Sequence, residues 1–247
     1  MKNGEKCFSK LFDLIEQLAQ SPQGLTGKEL SEMCAIPPST TFRMLKFMVD
    51  NDYVRSDRGV YTLGVGFVRF GNVACQQHPL IKAARPVLEE LSRETKETVH
   101  LAKLQNNRIL YIDKVEGSRP IHMGSLIGKR SPLYCTGIGK AIFAFQPRSV
   151  QESLLTAIEY VPFTATTITG EAAMRAELSR IRTRGYAVDN CEHEEWVYCV
   201  AAPVLDRDGQ CVAGISVSGA ETYLKKISEH LARLITAAAH QIAANLQ

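Results

Sequence analysis

Ile36-Pro37-Pro38-Ser39-Thr40-Thr41-Phe42-Arg43-Met44-Leu45-Lys46-Phe47-Met48-Val49 is the stretch on which the N-terminal fold turns. The paired prolines break what precedes them. First-turn amides have no intrahelical partner, so proline is tolerated there, and a helix is expected from Pro38 or Ser39 to about Asn51. Its inward face reads Thr41, Leu45, Met48 and Val49, which leaves Ser39, Thr40, Arg43 and Lys46 outside. Upstream, Phe8, Leu11, Phe12, Ile15 and Leu18 recur at helical spacing as one apolar face, and Ser21-Pro22-Gln23-Gly24 stops that helix. Thr26 followed by Glu29 is a capping-box pattern opening a second helix that carries Leu30 and Met33. Downstream, Tyr53-Val54-Arg55 and Val60-Tyr61-Thr62 flank the turn residues Ser56-Asp57-Arg58-Gly59. Three helices and a hairpin make a winged helix-turn-helix. Gly66 to about Gln77 is helical again and His78-Pro79 punctuates it, which predicts a linker helix between two domains.

Beyond Leu80 the pattern changes. Ile81, Ala84, Leu88 and Leu91 mark a helix, and Val99–Leu104 and Ile109–Val115 read as strands around Asn106-Asn107. Thr136–Phe145 and Val150–Ala157 are helical in pattern, and a helix from about Glu171 ends at Gly185, a left-handed cap. Cys199–Leu205 and Cys211–Val217 form a hairpin about Asp206-Arg207-Asp208-Gly209. Leu224, Ile227, Leu231, Ile235, Ala238 and Ile242 define a closing amphipathic helix. Antiparallel strands with helices between and beside them indicate an α+β class. The expected domains are residues 1–66, a linker helix 67–79, and a larger domain 80–247.

Composition narrows the function classes. A chain of 247 residues, 45% hydrophobic and 22% charged, can bury a core, which excludes disorder as a main theme. Its net charge of +3 gives no large single-sign field and argues against blanket binding of nucleic acid. No apolar run is long enough to cross a bilayer and residues 1–9 lack a secretory h-region, so a cytoplasmic protein without a membrane partner is expected. The seven cysteines are scattered, with no C-x-x-C pair, which fits buried thiols rather than a disulfide framework or a four-ligand zinc site. Through Gly66 eight basic residues face eight acidic ones, yet Ile36–Val49 holds Arg43 and Lys46 and no acid. An acid-free face on the second helix of a helix-turn-helix suits a major groove. Arg43 is placed to pair with a guanine, Ser39, Thr40 and Thr41 to grip phosphate, and Lys46, Arg55 and Arg58 to add backbone contacts. The same residues also fit a three-helix interaction module with ordinary solvated charges.

In the larger domain, Thr136-Gly137-Ile138-Gly139-Lys140 puts small residues at a helix start, where free amides and the dipole favour an anion. It is not a phosphate-binding loop, because the G-x-x-x-x-G-K-[ST] spacing is absent and Ala141 replaces the hydroxyl residue. Ser216 and Ser218 are two apart on a strand and point the same way. Cys191, His193 and Cys199 fix neither a fourth metal ligand nor an orienting acid, so no metal, cofactor or catalytic residue is expected. The alternative carried forward is a thiol-based redox sensor or thiol-dependent enzyme using Cys199, since a thiol in a polar pocket can have a lowered pKa.

Gly24-Leu25-Thr26, Leu30-Ser31-Glu32, Pro38–Leu45 and Tyr61-Thr62-Leu63-Gly64 resemble the DNA-binding domain of IclR-type bacterial transcription regulators. The resemblance continues in order through Glu97–Leu101, Gly128–Ala141, Arg180–Asp189, Cys199–Val204 and Ser216–Gly219. It implies a DNA-contacting set of Thr26, Ser39, Thr40, Thr41, Arg43, Lys46, Arg55 and Arg58. It also implies a GAF-like effector domain in which Met123, Gly137, Ile138, Asp189, Val197, Cys199, Ser216 and Ser218 hold a small carboxylate. Thr95–Thr98, Glu159-Tyr160 with Thr167-Ile168-Thr169, and Val188-Asp189-Asn190 are similar to regulators of 2-keto-3-deoxy sugar-acid catabolism, which implies a sugar-acid or 2-keto-acid effector. The expected partners are a palindromic operator and a second copy of the chain, because one winged helix reads only a half-site, with dimers pairing into a tetramer. Four positions depart from the family: Pro38 stands where Lys is common, Phe42 where a small or polar residue is, and Trp196 and Tyr198 where Gly and Arg are. Trp196 and Tyr198 stand within three residues before Cys199, which places an aromatic at the pocket mouth and makes Trp196 fluorescence the expected reporter of binding.

Overall fold

The computed structural model of the chain describes residues 3–119 and 124–246. It divides into two compact units, Met1–Gln77 and His78–Gln247.

In the first unit, α1 (Asn3–Gln20), α2 (Gly27–Met33) and α3 (Pro38–Asp50) pack around Leu14, Leu18, Leu30, Ile36, Met44, Leu45, Met48 and Val54. The strands β1 (Leu25–Thr26), β2 (Val54–Asp57) and β3 (Val60–Leu63) form a small antiparallel sheet in the order β1-β3-β2. Thr26 opens α2 with a complete capping box: its side chain accepts from the Glu29 amide while Glu29 accepts from the Thr26 amide at 2.7 Å. Arg58 and Gly59 turn the β2–β3 hairpin with φ of 49° and 82°, the pair of left-handed residues that a tight hairpin needs. α4 (Gly66–Gln77) follows and buries none of its residues; Tyr53 packs against its Phe67 and Phe70.

One expected face is corrected. The buried stripe of α1 runs through Leu11, Leu14, Ile15 and Leu18, the i, i+3, i+4, i+7 set, whereas Phe8 and Phe12 lie beside it and are 67% and 63% exposed. On α2, Leu30 is buried but Met33, in the last turn, is exposed.

The second unit is a six-stranded antiparallel sheet, order β6-β5-β4-β9-β8-β7. The strands are β4 (Thr98–Gln105), β5 (Arg108–Val115), β6 (Arg130–Pro132), β7 (Ala187–Asn190), β8 (Val197–Leu205) and β9 (Cys211–Ala220). One face is covered by α5 (Pro79–Thr95) and, at the end of the chain, Ser228–Asn245; the alternate residues Val99, Leu101, Tyr198, Val200, Ala202, Ile215 and Val217 point that way. The other face packs on α6 (Gly137–Ala144) and α8 (Glu171–Arg184), with α7 (Arg148–Ala157) against α8. Asn106 and Asn107 turn β4 into β5 with φ of 49° and 61°, and Gly185 caps α8 at φ 84°. The closing helix starts later than its apolar pattern suggests: Glu221–Leu224 is a separate short helix, α9, and Lys225–Ile227 a 3-10 turn before α10 (Ser228–Asn245). No helix among the described residues is long and apolar enough to cross a membrane.

Candidate functional sites: an exposed helix face and a buried pocket

On α3, Ser39, Arg43 and Lys46 are exposed and fall at i, i+4 and i+7, so they form one stripe. Arg55 on β2 and Arg58 at the hairpin tip are exposed as well. Among the described residues no ion pair engages Arg43, Lys46, Arg55 or Arg58, which leaves four cations free for phosphate or base edges. Thr26 is half-buried with its hydroxyl committed to Glu29 at 2.8 Å. Thr40 is half-buried, and its amide donates to the Pro37 carbonyl at 2.9 Å. Thr41 corrects the expected phosphate grip: it is fully buried, its amide also donates to Pro37, and its hydroxyl faces the Ile36 carbonyl at 3.5 Å. Phe42 lies over the N-terminus of α2, where a Cβ on Gly27 would come within 2.6 Å of the ring, so the small residue at 27 makes room for the large one at 42.

The second unit holds a small pocket under the N-terminus of α6, with a cavity volume of about 40 Å³ and a mouth partly open to solvent. Seven expected residues line it: Gly137, Ile138, Asp189, Val197, Cys199, Ser216 and Ser218. Met123, the eighth, lies outside the described residues. Register explains the gathering. Asp189 on β7 pairs with Cys199 on β8, and Cys199 pairs with Ser218 on β9, so the three form a row across the sheet. α6 starts above that row, with a Cβ on Gly137 falling 3.3 Å from the Cys199 Cβ and 3.4 Å from the Asp189 Cβ. The Thr136 hydroxyl accepts from the Gly139 amide at 3.2 Å, and the amides of Gly137 and Ile138, in the first turn, have no intrahelical acceptor.

Six further residues line the pocket without having been expected: His100, Tyr111, Ser125, Thr136, His193 and Glu194. Thr136 opens the Gly137 helix and was legible as its cap. His100 and Tyr111 come from β4 and β5, whose place beside β9 is a long-range pairing. The loop carrying His193 is strapped from outside, as the hydroxyls of Thr164 and Thr167 donate to the carbonyls of Cys191 and Glu192 at 2.7 and 2.6 Å. From inside, the buried Lys140 of α6 holds Glu192 in an ion pair.

Burial sets the charge states. Asp189 is 3% exposed, and desolvation pushes its carboxyl up to about 7, opposed by the hydrogen bond it accepts from the Glu192 amide at 2.7 Å. His100 is pushed down to about 3, first by burial and then by the Lys114 charge, so its ring is neutral. Burial lowers His193 and raises Tyr111. Burial also pushes the Cys199 thiol well up, aided by the Asp189 carboxylate, which corrects the redox-sensor and thiol-enzyme alternative: the reactive thiolate is disfavoured here. Among the described residues no Lys or Arg lines the cavity, and no group of three or more His, Cys, Asp and Glu has metal-holding geometry. The site therefore offers hydroxyls, a helix N-terminus, a neutral imidazole and a carboxyl poised between its two forms.

The aromatic expectations are corrected too. Tyr198 alternates to the opposite face of the sheet, where its hydroxyl lies 3.0 Å from that of Ser228. Trp196 is 73% exposed at φ 68° and does not line the cavity, so no direct contact links its fluorescence to an occupant.

Family models match nearly the whole chain: the IclR helix-turn-helix domain over residues 9–58 and the bacterial transcriptional regulator IclR C-terminal region over residues 72–244. The HTH-type transcriptional regulator KdgR of Escherichia coli K12 is 37% identical over 234 residues, covering 93% of this chain and 88% of that protein. The crystal structure of Thermotoga maritima IclR superposes with a TM-score of 0.77 at 30% identity, over 98% of this chain and 99% of the other. The C-terminal domain of E. coli KdgR matches 68% of this chain and 99% of its own length, with a TM-score of 0.62 and 37% identity.

Proposed function

Because the chain belongs to the IclR family of DNA-binding bacterial transcription regulators, we propose that it represses a carbohydrate or organic-acid catabolic operon and answers to a sugar acid or 2-keto acid. The observation that carries the effector reading is the pocket itself: the α6 N-terminus suits a carboxylate, and the adjoining Asp189, Cys199, Ser216 and Ser218 suit its polar neighbours. The likeness to KdgR supports the sugar-acid class.

In this reading residues 1–66 bind DNA, 67–79 link, and 80–247 bind effector. Ser39, Arg43, Lys46, Arg55 and Arg58 meet the operator, with Thr26 and Thr40 beside them. The protein acts as a homodimer on a palindrome, since two half-sites are needed for a specific address, and dimers pair into tetramers. It works where the chromosome is, in the cytoplasm, and turns over no substrate. An effector changes operator affinity only through different affinities for the DNA-competent and incompetent arrangements. A thermal-shift screen of sugar acids and 2-keto acids, followed by gel shifts on DNA upstream of the gene, tests this. One of these acids should raise the melting temperature and change the shift; stabilisation by none of them, or a stabilising acid that leaves the shift unaltered, overturns the effector assignment.

A further inference from the structure

α3 exposes two phenylalanines on the side that carries its cations. Its buried residues are Thr41, Met44, Leu45 and Met48, while Phe42 and Phe47 are 49% and 57% exposed. At about 3.6 residues per turn the buried four face one way and Ser39, Arg43 and Lys46 the other, so Phe42 and Phe47 fall on the two flanks of the cationic stripe. No acid lies between residues 36 and 49. The face that complements a polyanion is therefore edged with aromatic carbon.

The two rings are not equivalent. Phe42 adjoins Arg43, with Ser39 three residues before it and Lys46 four after, in the half of the helix that reaches base edges in a helix-turn-helix. One edge of its ring is seated: a Cβ placed on Gly27, the first residue of α2, would fall 2.6, 2.8 and 3.4 Å from its Cε1, Cζ and Cδ1. The ring is held against that glycine while about half of the residue stays open, so little side-chain freedom is left to lose on binding. Phe47 lies in the C-terminal half, three residues before the exposed Asp50, whose carboxylate phosphate repels. That end of α3 is the poorer one to press into a groove walled by phosphates. Of the groups the bases display in the major groove, the apolar one is the thymine 5-methyl; the others are hydrogen-bond donors and acceptors that a phenyl ring cannot satisfy.

We propose that Phe42 is a base-contacting, specificity-determining residue of the operator interface, its free ring edge packing on the 5-methyl of a thymine beside the base pair that Arg43 addresses. Arg43 and Phe42 then read a guanine and a neighbouring thymine as one unit, a polar contact and an apolar one from adjacent residues. The proposal rests on α3 being the reading helix and adds a sequence preference that no hydrogen bond supplies.

The test replaces thymine by uracil, which keeps every hydrogen-bonding group of the base and lacks only the 5-methyl. The full-length protein selects its preferred duplex from a random pool, and each thymine of the half-site is exchanged for uracil in turn. Affinity is read by fluorescence anisotropy at low salt, where phosphate contacts keep weakened variants measurable. In wild type, uracil at one position should weaken binding by about 3- to 5-fold per half-site, the worth of one buried methyl. Phe42→Ala should bind the thymine and uracil duplexes alike at that position, whereas Phe47→Ala should keep the wild-type ratio. Phe42→Gln supplies the same comparison if melting curves show the alanine variant unfolded. A selection that yields no preferred sequence, or an Arg43→Ala variant with full operator affinity, removes α3 as the reading helix and this proposal with it. If Arg43→Ala loses affinity, yet uracil is harmless everywhere in wild type, or its penalty persists in Phe42→Ala or vanishes in Phe47→Ala instead, α3 still reads the operator. Phe42 is then a packing residue over Gly27, and only this proposal fails.

Discussion

A carboxylate effector placed beside Asp189 should bind with proton uptake. Burial holds the Asp189 carboxyl at about 7, so the empty pocket carries roughly half a negative charge at neutral pH. A second anion at the α6 N-terminus favours the protonated form. Of the other titratable groups around it, His100 is held neutral by burial, His193 is lowered by burial, the Cys199 thiol and Tyr111 phenol are pushed upward, and Glu192 is paired with Lys140. Glu194 lies at the exposed rim, and Lys114 is engaged with Glu116 at 2.7 Å. If the bound-state value rises well above 8, affinity should fall about tenfold from pH 6 to pH 8, with about half a proton taken up per site at pH 7. Titrations in buffers of different ionisation enthalpy read both numbers. Asp189→Asn should flatten the profile, since an amide keeps the acceptor for the Glu192 amide and cannot ionise. Stability gives an independent reading. A carboxyl raised from about 3.9 unfolded to about 7 folded binds its proton more tightly in the native state, so stability is lost as pH rises from 4 to 7 and is level above, by on the order of a few kcal/mol. Asp189→Asn should therefore melt higher than wild type at pH 8 and lose that advantage toward pH 4. Wild-type affinity that is constant from pH 6 to pH 8 without proton uptake would refute the reasoning, as would an Asn variant with the wild-type profile.

Other expectations follow from named contacts. Arg43→Ala should cost about 1–3 kcal/mol of operator affinity and relax one position of the half-site, while Lys46→Ala should weaken all sequences alike and lower the salt slope by about one; fluorescence anisotropy against labelled DNA at several salt concentrations distinguishes the two, and full operator affinity in Arg43→Ala would sink the reading-face assignment. Thr41→Val should leave operator affinity within about twofold, because the side chain is fully buried and the measurable effect is on stability, about 1 kcal/mol; a large affinity loss in a folded variant would restore Thr41 to the DNA contacts. Lys140→Met should cost about 3–5 kcal/mol in urea unfolding, because it leaves Glu192 buried and unpaired, and Lys140→Met with Glu192→Leu should recover most of it; equal losses in single and double variants would show the ion pair is not the source.

Local patterns were informative wherever one element decided the outcome. The capping box at Thr26, the proline start of α3 and the left-handed turns at Arg58-Gly59 and Asn106-Asn107 each depend on a few adjacent residues, and all formed as read. Errors came where two surfaces competed for the same apolar residues. Phe8 and Phe12 keep helical spacing with Leu11 and Ile15, but periodicity fixes the angle between residues and not which stripe the neighbouring helices cover; Leu14 and Leu18 won that place. Thr41 was given an inward face by its spacing and an outward role by its hydroxyl, and packing honoured the spacing. Tyr198 needed only the alternation of β8: with Cys199 in the pocket, its neighbour had to face α10.

His100 is a different kind of omission. Its own strand told only that it lies opposite Val99 and Leu101, and a lone histidine on a strand is ordinary. What makes it part of the site is that β4 pairs with β9 in the register that sets His100 against Ser216, two segments separated by more than a hundred residues of chain. No local signal encodes such a register; it follows from closing the whole sheet with β9 at its centre between β4 and β8. The residues legible from the family pattern cluster on β7, β8, β9 and α6, around the carboxylate end. Of those that were missed, His100, Tyr111 and Ser125 sit on β4, β5 and the segment before β6, while Thr136, His193 and Glu194 flank α6 and join β7 to β8.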